Sequence, residues 1–104
     1  MARFEIIYAP EVISHLAHIE QKFYGLIQAT IRQQLQHAPL QQTKNRKPLD
    51  LPTPFGATWE IRFGPDNRFR VLYDIDEEDR AVQIVAIGEK QGERLIVGGE
   101  EVEL

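Results

Sequence analysis

The sequence predicts an α+β fold: one strand, a helical hairpin, then a three-stranded antiparallel meander, with the helices covering one face of the sheet. Three observations lead there. The chain begins with a short β-branched and aromatic run, RFEIIY at residues 3–8, of the kind that fits a half-buried strand. Apolar residues then recur at helical spacing as far as Leu35. Beyond residue 57 come three strand-like runs separated by turn signals. Helices grouped ahead of consecutive strands pack as a layer on one sheet face.

Each element follows from its residues. After the first strand, Pro10 and Glu11 suit a first helical turn. Val12, Ile13, Leu16 and Ile19 form one apolar stripe, and Phe23, Ile27, Ile31 and Leu35 form a second at four-residue spacing. Two helices, over 10–19 and 21–37, or one bent helix are therefore expected, with Pro39 closing the second. Residues 38–57 hold four of the six prolines and the basic run Lys44-Asn45-Arg46-Lys47. A connection that long inside one domain is expected to be functional or mobile. Strands are expected over 58–63, 69–75 and 81–88, joined by turns at Gly64-Pro65-Asp66-Asn67 and Asp76-Glu77-Glu78-Asp79. The tail, GERLIVGGEEVEL at 92–104, carries a short apolar run ahead of Gly98-Gly99.

Length and composition set the class. A chain of 104 residues is the size of one domain, and residues 1–104 are read as such; it can bury roughly 65% of its unfolded surface. Apolar residues make up 42% and charged residues 27%, too apolar for disorder. The absence of cysteine rules out disulfides and thiolate chemistry. The N-terminal residues read as neither a signal peptide nor a membrane span, so a cytoplasmic protein without membrane contact is expected.

Net charge is −4, but its distribution is uneven. Residues 44–70 hold six basic side chains against three acidic, and residues 74–104 hold three basic against ten acidic. That balance argues against indiscriminate nucleic-acid binding and leaves room for a focused anion site.

The hairpin WEIRFGPDNRFRVLYDID (59–76) places that site. Pairing Phe63 with Phe69 sets Ile61 opposite Val71 and Trp59 opposite Tyr73, which collects the large apolar residues on one face. The other face then receives Glu60, Arg62, Arg70, Leu72 and Asp74, with Arg62 directly opposite Arg70. Like charges in that position repel. Their compensation is expected from Glu60, from Asp74 or from an anionic ligand, for which the planar guanidinium fork is well shaped. Trp59 falls on the core face. Glu11, His15 and His18 share one side of the first helix, but no further ligand accompanies them, so a solvated face and no metal are expected.

The order strand–helix–helix–meander, with WEIRF, RFRVLYDI and VQIVAIGEK in sequence, resembles the RelE/ParE superfamily, the toxin components of type II toxin–antitoxin systems. The resemblance covers nearly the whole chain and is clearest over residues 59–90. It implies a cognate antitoxin as partner and no cofactor. RelE-type members cleave mRNA on the ribosome by attack of a ribose 2′-hydroxyl on the neighbouring phosphate, which needs a base, a proton donor and cationic stabilisation. Carried over residue by residue, Arg70 matches the arginine that contacts the scissile phosphate and Arg62 a basic residue on the strand before it. Glu60 stands near the position of a general base. Lys90 falls near the basic residue that follows the third strand. Lys44, Arg46, Lys47 and Arg68 would contact the RNA backbone.

Two features depart from the endonuclease pattern. The C-terminal segment contains no tyrosine or histidine, and it is strongly acidic. The resemblance therefore implies two readings: a metal-independent, ribosome-dependent mRNA endonuclease, or a non-catalytic member that inhibits gyrase in the manner of ParE or serves chiefly to bind a partner. Oligomeric state is not legible in the sequence.

Overall fold

The computed structural model describes residues 3–50 and 53–103; Met1, Ala2, Leu51, Pro52 and Leu104, the last residue of the expected tail, lie outside it. Strand β1 (Glu5–Tyr8) leads into a short helix α1 (Val12–Leu16), a 3-10 turn (Gln21–Phe23) and helix α2 (Tyr24–Leu35). Six strands follow: β2 (Arg46–Pro48), β3 (Trp59–Phe63), β4 (Phe69–Asp76), β5 (Ala81–Gln91), β6 (Arg94–Val97) and β7 (Glu100–Val102). They lie in the order β2-β3-β4-β5-β6-β7 in one seven-stranded sheet, with β1 pairing parallel to β5.

The α+β class and the β3–β4–β5 meander are as the sequence predicts. The hairpin register is also the expected one: Phe63 pairs with Phe69, Ile61 with Val71, Trp59 with Tyr73 and Arg62 with Arg70. The helices and the core face of the sheet bury Ile27, Ile31 and Leu35 of α2 together with Ile61, Phe69, Val71 and Tyr73. Trp59 packs at the margin of that core, half-buried and stacked on Tyr73 at 6.1 Å between ring centroids.

One boundary needs correction, and two elements are added. The first helix stops at Leu16 rather than residue 19, where the Tyr24 hydroxyl donates to the Leu16 carbonyl at 2.5 Å. The 38–57 connection contains β2 and a 3-10 turn at Pro54–Gly56. The tail adds a hairpin, β6–β7.

That hairpin changes the outer face of the sheet. Leu72, expected at the surface, is 1% exposed and packs with Ala57, Ala86, Leu95 and Val97 in a second, smaller core. The close approach of β6 depends on Gly88: a Cβ there would lie 2.8 Å from Val97 Cγ2 and 2.9 Å from the Ile96 carbonyl. Any side chain would push β6 away. β4 takes one edge of β5, so β1 and β6 share the other, against residues 81–84 and 88–91. Between them the Ile87 N–H finds no strand partner and donates to His15 Nδ1 of α1 at 3.4 Å, which satisfies a buried backbone donor.

Candidate functional site

Strand alternation fixes the outer face. Arg62 and Arg70 stand opposite each other across β3 and β4, and Glu60 is the next outward residue along β3. Its carboxylate accepts from Arg62 Nε at 2.8 Å, and its other oxygen lies 3.8 Å from an Arg70 terminal nitrogen. The Glu60 side chain is 1% exposed, Arg70 17% and Arg62 34%. Glu60 is therefore the counter-ion that lets the two arginines face each other. Asp74 is occupied elsewhere, accepting from the Thr58 hydroxyl at 2.6 Å.

Arg70 has capacity left over. Its Nε is buried and has no hydrogen-bond partner among the described residues. An unpaired buried donor on a charged group is costly, and an anion reaching between the arginines would remove that cost. Lys47 lies opposite Glu60 on β2 and is exposed, so the cationic face extends across three strands. Lys90, expected just after the third strand, sits within β5 and is exposed.

The structure places two of the expected RNA contacts away from this face. Arg46 is buried with its guanidinium on the helix side, donating to the Gln34 carbonyl at 2.9 Å and the Ala38 carbonyl at 2.6 Å. It closes the end of α2 by satisfying the Gln34 carbonyl that the helix leaves unpaired, and ties it to the Ala38 carbonyl just beyond. Its strand register explains the orientation: Arg46 pairs with the core residue Ile61, so alternation turns Lys47 outward and Arg46 inward. Arg68 pairs with Glu89 and, at 3.6 Å, with Glu20, and its guanidinium lies 4.7 Å from the Phe23 ring centroid. It ties the helical turn to the sheet. Lys44 is exposed beside β2.

No tyrosine hydroxyl serves the face. Tyr73 is fully buried and donates to the Pro39 carbonyl at 3.1 Å, and burial pushes its phenol well above the usual range. Tyr24 is committed to Leu16. His15 is buried rather than solvated, and burial lowers its pKa, opposed by Glu11 and reinforced by His18. Among the described residues no cluster of three or more ligating side chains could hold a metal ion. No helix of the described residues is long and apolar enough to cross a membrane.

Sequence reasoning missed the acidic partners of the site: Glu93, Glu101 and Glu103 share a groove of about 410 Å³ with Arg70, Lys90 and Arg94. The only signal for them was the excess of acid in the last third of the chain.

A strand, a short helical layer and a mostly antiparallel sheet bearing a cationic outer face define an α+β domain. Residues 6–93 match the family described as the ParE toxin of the type II toxin–antitoxin system, parDE. The chain belongs to that family. It also superposes on a chain from the crystal structure of the RelBE2 toxin–antitoxin complex of Mycobacterium tuberculosis with a TM-score of 0.69 and 21% identity. That match covers 86% of this chain and 94% of the other, and shows a shared fold. The curated proteins offer no significant sequence match.

Proposed function

We propose that this toxin acts by binding a protein target, in the manner of a ParE-like gyrase inhibitor, and does not cleave RNA. The observation that carries this reading is the state of Glu60. A general base must reach the proton it removes, within hydrogen-bond distance. Glu60 is the carboxylate nearest Arg62 and Arg70, yet it is 1% exposed and tied to both guanidinium groups. Freeing it would leave two like charges facing each other without compensation. The buried Tyr73 hydroxyl and the C-terminal segment without tyrosine or histidine leave the lysines Lys47 and Lys90 as the proton donors on this face, with no accessible base to match them. Membership of the ParE toxin family supports the same reading.

The unpartnered Arg70 Nε favours a second reading, in which a phosphate seats between the arginines and RNA is cut. Induction of the toxin in growing cells followed by mapping of mRNA 5′ ends separates the two. Growth arrest without new, codon-phased ends supports target binding. Codon-phased ends that vanish with Arg70→Ala would establish the endonuclease instead.

A further inference from the structure

The groove beside Arg70 is lined by charges of both signs. Arg70 and Lys90 supply positive charge from β4 and β5, and Glu93 and Glu103 supply negative charge from the two ends of the C-terminal hairpin. Arg94 and Glu101, also in the groove, neutralise each other at 3.3 Å. Among the described residues, Lys90, Glu93 and Glu103 form no ion pair. Charge of both signs is therefore left unspent in the groove.

We propose that this groove seats a segment of the antitoxin that carries both signs, its acids against Arg70 and Lys90 and its bases against Glu93 and Glu103. The inference rests on the toxin having an antitoxin partner, and it names the surface and the chemistry of the contact. Charge complementarity selects such a segment over a uniformly acidic one, because like charges brought together across an interface cost several kcal/mol and exclude wrong partners. A purely acidic segment drawn to Arg70 would meet Glu93 and Glu103 in the same groove. The groove adjoins the Arg62–Arg70 pair through the shared Arg70, so the same segment covers the cationic face.

The test uses the toxin and the antitoxin encoded by the adjoining gene, purified as a complex and titrated by calorimetry. Glu93→Lys combined with Glu103→Lys makes the toxin more basic. On this proposal it weakens binding by about tenfold or more, as two attractive contacts become repulsive. Glu93→Gln with Glu103→Gln gives a smaller loss in the same direction. Lys90→Glu also weakens binding. Both acidic residues are exposed, so thermal melting of each free variant should stay close to wild type and separates misfolding from lost contact. Tighter binding by the lysine variant overturns the proposal in favour of a uniformly acidic partner segment, and unchanged binding overturns it in favour of docking elsewhere. A wild-type toxin that does not bind the adjoining protein at all defeats the partner reading itself.

Discussion

Arg62 and Arg70 face each other across two central strands, and the buried carboxylate of Glu60 lies against both guanidinium groups. The three residues form one electrostatic unit, so each should respond to the loss of another. Glu60→Gln removes the only negative charge of the unit while keeping its size. Breaking a buried ion pair costs about 3–5 kcal/mol. Arg62 is about one-third exposed, so water offsets part of this, and a loss near ~3 kcal/mol is expected. Denaturation in urea measures it. Arg70→Gln added to Glu60→Gln should recover part of the loss, because the repulsion goes with it.

Arg46 should behave as a structural residue and its neighbours as surface residues. Arg46→Ala deletes two charged hydrogen bonds at the end of α2, each worth about 1.5–3 kcal/mol. A clear drop in melting temperature is expected. Lys44→Ala and Lys47→Ala should leave melting within about 0.5 kcal/mol of wild type. Equal effects at all three positions would contradict the assignment.

His15 should make stability depend on pH. Burial lowers its pKa below the ordinary 6.5, and protonation would place a donor at Nδ1 against the Ile87 N–H. The unfolded chain therefore takes up the proton more readily, and stability rises with pH in this range. The contribution is whole above about pH 6.5 and is lost as pH falls through the depressed folded value. Thermal melts between pH 7.5 and 5 should show this loss, and His15→Asn, whose amide oxygen can accept from Ile87, should flatten it.

Gly88 should control the C-terminal hairpin. Gly88→Ala forces β6 outward at the points where a Cβ would meet Val97 and the Ile96 carbonyl. Overpacking of this kind costs about 1–3 kcal/mol. Amide hydrogen exchange should accelerate in β6 and β7 well before it changes in β3 and β4.

Much of this architecture was legible in the sequence because side-chain period is a strong local signal. The alternation in WEIRF and RFRVLYDI was enough to fix the β3–β4 register and to set Arg62 against Arg70. What escaped depended on contacts distant along the chain. β2 is three residues long, too short to show a period, so Arg46 read as one more cation in a basic run. The apolar residues of β6 read only as a short run in the tail, with nothing to reveal a hairpin that folds back over Leu72. His15 read as solvated because its acceptor role depends on a gap between β1 and β6 that only the assembled sheet creates. The candidate site was found in outline, and choosing Glu60 over Asp74 as its counter-ion required the folded structure.

The most direct test of the account is a supercoiling assay with purified DNA gyrase and relaxed plasmid, run beside a ribosome-bound mRNA cleavage assay with the same toxin. The account predicts that the toxin inhibits supercoiling, that the antitoxin relieves the inhibition, and that the mRNA stays intact. Unaffected gyrase together with mRNA cut by the wild-type toxin would contradict it.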